Sequence, residues 1–193
     1  MRKSISVIFM MLMLAFGSTA CWDPVGDAEG DARAEQEAKT ISKLVSKTVL
    51  NMTEELGALM VPEEGQEGAR KLAKTIANEL TFDGGMFSGT VENSKGGSVD
   101  IEGSGSYDAT NGNIAFEATL VFKEFVAGSI TFDGTLDVTF SGTLEDGSLL
   151  ISGDLSVTGD IETEAEVDLT ITITAGSATA TGHINGEEVN ESL

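Results

Sequence analysis

The sequence predicts an α+β domain in which one or two N-terminal amphipathic helices pack on a curved, half-barrel-like antiparallel β-meander of about eight strands. Three observations carry that expectation. Between Gly128 and Ile161 apolar and polar residues alternate almost without a fault: Ile130, Phe132, Leu136, Val138, Phe140 and Leu144 take even positions, and Leu149, Ile151, Leu155, Val157 and Ile161 odd ones. A period of two is that of a strand with one apolar and one wet face. A short phrase recurs as GSVDIEG from Gly97, GSITFDG from Gly128, GSLLISG from Gly147 and GSATATG from Gly176, with a looser GNIAFEA from Gly112. Its intervals of 15, 16, 19 and 29 residues fit one strand plus a turn and exclude a solenoid of fixed period. Upstream, from about Asp31, apolar residues step by three or four instead, as on a helix.

Residues 1–20 precede the domain. Arg2 and Lys3 are followed by an apolar run from Ile5 to Phe16 and by the small residues Ser18, Thr19 and Ala20, the pattern of a cleaved export signal. A run of that length is too short to span a bilayer. Cys21, the sole cysteine, takes the first position after the expected cut. Ser18 to Cys21 resemble the lipobox of bacterial lipoproteins, whose cysteine is acylated and becomes the new N-terminus. Ser18 stands where those proteins usually carry Leu, and the same residues suit ordinary secretion with the same cut. The resemblance implies a membrane anchor through acylated Cys21, palmitate being a usual chain. Lipoproteins kept in the inner membrane carry Asp directly after the cysteine; Trp22 is there instead, which implies the outer membrane, on its periplasmic face or at the cell surface. Residues 21–32 read as the lipidated cysteine and a polar tether. Asp27, Glu29 and Asp31 alternate like the start of a calcium loop, but the pattern does not continue.

The single domain spans 33–193, with helices over 33–80 and the sheet over 81–193. Ala38, Ile41, Val45, Val49, Met52, Leu56 and Leu59 form the stripe of the first helix, and Lys39, Lys43 and Lys47 form a second stripe at four-residue spacing. Glu35 sits one turn before Lys39 for a helical ion pair. Pro62 interrupts the pattern, and Ala69, Leu72, Ile76 and Leu80 place a second helix over about 63–80.

Strands are expected at about 86–92, 97–107, 112–122, 128–144, 148–161, 164–175, 177–184 and 187–191. Asp133 and Gly134 form a favoured hairpin dipeptide, yet a turn there would send Thr135 and Asp137 into the core and expel Leu136 and Val138. One strand therefore runs through Gly134, and another through Gly153. The reversals are placed at Glu145–Ser148 and at Asn185–Glu188. Gly103, Gly134, Gly153 and Gly182 then fall on the apolar face, which marks a bend or a close approach of another element.

The chain carries −21, and loss of Arg2 and Lys3 with the leader leaves −23. Residues 81–193 hold 20 acidic side chains against Lys95 and Lys123. Such a field repels nucleic acid and anionic lipid, so neither is an expected partner. Glu162, Glu164, Glu166 and Asp168 form an acidic ladder, which reads either as a weak cation site or as like charges that keep strands from pairing between molecules.

No metal site and no cofactor are expected. With one histidine, His183, and one cysteine, neither a Cys-His dyad nor a usual zinc set can be assembled. No nucleophile elbow accompanies His183, and no phosphate-binding glycine motif opens a helix. The expected function is non-enzymatic: a membrane-anchored envelope module that meets an unknown protein partner. The alternative is a carrier or chaperone of apolar ligands, resembling in architecture alone the half-barrel lipoproteins that move other lipoproteins. Leu120, Phe122, Phe132 and Phe140 would line its cavity, or otherwise fill the core.

Overall fold

A computed structural model describes residues 28–60, 80–175 and 177–193. Within them one helix, α1 (Ala28–Met60), precedes nine strands: β1 (Leu80–Asp83), β2 (Met86–Glu92), β3 (Ser98–Asp108), β4 (Asn113–Ala127), β5 (Ile130–Gly142), β6 (Asp146–Gly159), β7 (Thr163–Thr174), β8 (Ser177–Ile184) and β9 (Glu187–Ser192). They form one antiparallel sheet in strictly sequential order, with β1 and β9 as its open edges. No helix among the described residues is long and apolar enough to cross a membrane. The leader, Cys21 and the tether up to Asp27 lie outside the described residues, as do Ala69, Leu72 and Ile76 of the expected second helix. Helix α1 opens at Ala28, so residues 28–32 form its first turns.

Helix α1 lies against the apolar face of the sheet because its own apolar stripe has the right period. Ala38, Ile41, Val45, Val49, Met52 and Leu56 are buried, while Lys39, Lys43 and Lys47 are exposed. Glu35 accepts from Lys39 at 2.5 Å, the ion pair that the spacing predicts, and Glu37 from Arg33 at 2.8 Å. Each pair raises the pKa of its base, chiefly through the hydrogen bond. Ser42, Ser46 and Thr53 extend the buried face, and Gly57 completes it, with the Leu144 side chain packed over it. The hydroxyls of Ser42 and Ser46 find no hydrogen-bond partner among the described residues. Each such hydroxyl costs about 1–3 kcal/mol. Burying each large apolar residue of the stripe contributes about 1.5–3 kcal/mol, so the apolar term wins and the helix stays docked.

The alternation from Gly128 to Ile161 maps on the sheet as expected. Leu136 pairs with Gly153 and Gly134 with Leu155, so β5 and β6 each run through their glycine without a turn. Both glycines have positive φ, 135° and 145°. A Cβ on Gly134 would stand 2.3 Å from the Asp154 carbonyl oxygen, and one on Gly153 would stand 2.2 Å from that of Thr135. Gly103 serves differently: the Phe87 ring lies over it, as cross-strand aromatic rings cover a bare backbone.

Several boundaries differ from the sequence expectation. Leu80 belongs to a strand, not to a second helix, and β1 raises the strand count from about eight to nine. Strand β4 continues past Phe122 to Ala127 through a bulge at Lys123 and Glu124, after which the buried positions change parity. Glu124 has φ 48°, and its N–H donates to Asp133 Oδ1 at 2.8 Å. The β5–β6 reversal is residues 143–145 and not Glu145–Ser148; it is closed by the Thr143 N–H donating to the Asp146 carbonyl at 2.8 Å. The β8–β9 reversal is the two-residue Asn185-Gly186 turn, both residues at positive φ, instead of a four-residue loop. Ile184 and Val189 stay buried either way, because removing two residues preserves parity.

Replacing Gly153→Ala is expected to destabilise the domain by about 3 kcal/mol or more, through backbone overlap and strained φ together. Gly30→Ala, on an exposed turn of α1 with no neighbour within 4 Å, should instead be neutral or stabilising by about 0.5–1 kcal/mol. Thermal unfolding of the two variants side by side checks this. Ser42→Ala and Ser46→Ala each remove an unpartnered hydroxyl and favour helix, so denaturant midpoints should rise, corresponding to a gain of about 1 kcal/mol in unfolding free energy per site.

Candidate interaction surfaces

The apolar face of the sheet is closed. Leu120, Phe122, Phe132 and Phe140 are 1%, 3%, 1% and 1% exposed. A side chain lining a water-sized void would show accessible surface inside it, so these four fill the layer between sheet and helix. Their rings pack on one another: Phe116 stacks on Phe140 at 5.5 Å, and Phe122 meets Phe132 edge-on at 6.3 Å. They are brought together as core.

The outer face is what the molecule presents, and strand register divides it into two zones. In one row Asp137, Ser152, Asp168, His183 and Glu188 lie side by side across β5 to β9. In neighbouring rows Asp154 stands opposite Glu166 and Ser156 opposite Glu164, and the Ser156 hydroxyl donates to Glu164 at 3.1 Å. Beyond the acidic zone lies an uncharged one, the row Ala115, Ser141, Ser148, Thr172, Thr179 and Ser192. Between the zones runs a row that holds both large exposed apolar side chains, Met86 and Leu150. Shallow clefts of about 360 and 520 Å³ open beside Met86 on this face, lined by hydroxyls and by Glu102, Glu117 and Asp137.

Glu164, Glu166 and Asp168 are exposed along β7, and Glu162 just precedes it. Alternate residues of a strand stand about 6.7 Å apart, whereas Ca²⁺ gathers six or more oxygens at about 2.3–2.6 Å. Among the described residues no three His, Cys, Asp or Glu side chains come close enough to share a metal ion. What the ladder does have is a long overhang. Strand β8 covers β7 only from Val167 onward, and beyond it Asn185 takes over. Its side-chain oxygen accepts from the Glu166 N–H at 2.7 Å, and its amide donates to the Glu164 carbonyl at 2.9 Å. One asparagine thus occupies backbone groups that would otherwise invite another strand.

Positive charge is scarce here. From Glu124 to Leu193 the sequence contains 14 acidic residues and no lysine or arginine. Lys123 bridges to Asp100 on β3, and this contact, with the Thr90 hydroxyl bond, holds the Asp100 carboxyl below its ordinary pKa. On the other side of the molecule, α1 carries Lys39, Lys43 and Lys47 in a stretch, residues 38–53, without one acidic side chain. Both stripes are visible in the sequence, but only the register shows which outward residues share a row.

No protein-family model, no curated protein and no solved structure matches this chain. Addition of millimolar CaCl₂ is expected to raise the melting temperature no more than MgCl₂ at matched ionic strength. A calcium-specific rise would show that the ladder gathers an ion, and Glu166→Gln would then abolish it.

Proposed function

We propose that the protein is an exported envelope lipoprotein, anchored in the outer membrane by acyl chains on Cys21, whose half-barrel-like domain is a binding or structural module and not an enzyme. The observation that carries the binding reading is the closed inner face. Ligand carriage needs a cavity of roughly 300 Å³ or more between sheet and helix. Leu120, Phe122, Phe132 and Phe140 occupy that layer, and the clefts of about 380 and 300 Å³ between α1 and the sheet are open surface grooves lined mostly by polar residues, which favours recognition through the outer surfaces over a carrier of apolar ligands. His183 supports the non-enzymatic reading. It stands in register between Asp168 and Glu188, with no serine or cysteine among the described residues paired to it in register as a nucleophile. The anchor rests on the charged, apolar and small residues that lead into Cys21.

Fractionation of the native envelope, with intact mass of the purified protein, tests the anchor. The expected result is an acylated N-terminus in the membrane fraction, and a soluble, unacylated Cys21→Ala form. An unmodified thiol on a soluble wild-type protein would make it an ordinary secreted domain.

A further inference from the structure

We infer that the lysine-bearing face of α1 docks on the carboxylate zone of the outer sheet face of a second copy of this chain. The inference rests on the binding-module reading above and names the partner. The two surfaces lie on opposite sides of one molecule, because α1 covers the apolar face and the carboxylates project from the other. Lys43 and Lys47 are exposed and make no ion pair among the described residues; Lys39 is shared with Glu35. Glu164, Glu166 and Asp168 are likewise exposed, and their half of the sheet, from Glu124 on, contains no lysine or arginine to neutralise it.

The spacings agree as well as the signs. Lysines four residues apart on a helix repeat every 6 Å or so, and carboxylates two residues apart on a strand repeat at about 6.7 Å. A helix laid along β7 therefore brings successive lysines beside successive carboxylates with less than about 1 Å of slip per pair. Complementary patches on opposite faces make a heterologous contact, which adds copies head to tail instead of closing a two-fold dimer. A generic basic partner would also satisfy the carboxylates, but it would leave the lysine stripe unused; a second copy satisfies both.

Net charge works against this contact. With −21 on the full chain and −23 once Arg2 and Lys3 are lost with the leader, mature copies repel one another over the screening length, about 10 Å at 0.1 M salt and about 30 Å at 0.01 M. Contact pairs act at shorter range, so association should be greatest near physiological salt and fall on either side.

The test is sedimentation velocity of the soluble mature Cys21→Ala chain over a range of protein concentrations. Two charge-reversed variants are run beside it, Lys43→Glu with Lys47→Glu, and Glu166→Lys with Asp168→Lys. All four positions are exposed, so circular dichroism should show both variants folded. The expected result is concentration-dependent association near 0.15 M salt that weakens roughly tenfold or more in each variant and returns when the two variants are mixed. A wild-type chain that stays monomeric at every salt concentration overturns the inference, as does association that the reversals leave unchanged. Either result leaves the anchor test on Cys21 untouched, so the two readings fail separately.

Discussion

Everything in this molecule depends on hiding one face of one sheet. Alternation along β2 to β8 makes that face continuous and apolar, and an antiparallel sheet can leave only its other face in water. Among the described residues, one helix of 33 residues provides the cover. Its inward side combines large residues with small ones, so Ile41, Val45 and Leu56 fill the layer while Ser42, Ser46 and Gly57 let the helix come close. Two unpartnered hydroxyls are the cost of using serine where alanine would fit.

The same closure leaves the outer surfaces as the ones exposed to solvent. With the inner layer filled by phenylalanines packed ring to ring, the outer residues form the solvent-facing surface, and strand register sorts them. Acidic side chains collect toward the Glu164 end of β7, hydroxyls toward its Thr172 end. That division follows from pairing alone. A shift of one residue in any strand would turn its polar set inward, so the glycine contacts and the bulge at Glu124 that fix the register also fix the charge pattern.

Most of the fold was legible where the period was clean. The parity of Ile130 to Ile161 gave β5 and β6, including their passage through Gly134 and Gly153, and the three-to-four stepping from Ala38 gave the inward side of α1. What was not legible has particular causes. At Lys123 and Glu124 a bulge adds a residue and moves the apolar positions from even to odd, so β4 looked finished at Phe122. Leu80 continued a helical spacing by coincidence and sits in a strand too short to show alternation of its own. Asn185-Gly186 is a strong turn signal, but parity alone cannot tell a two-residue from a four-residue loop. Of the candidate surfaces, the ladder and the lysine stripe were visible as strings; the uncharged row was not, because its members come from six different strands.

Every strand pairs with the one just before it, so no partner in the sheet must be fetched from far along the chain. Loop-closure entropy grows with the length of chain to be closed, and a meander keeps each closure to a hairpin. A chain emerging N-terminus first therefore makes α1 before any of the surface that covers it. The sheet then grows one hairpin at a time, with a fresh open edge at each stage. Only when the C-terminal strand is in place does the growing edge reach β9. Its half-buried Glu187 and Glu191 alternate with buried Val189, and a strand whose inward positions are charged is a poor template for a tenth.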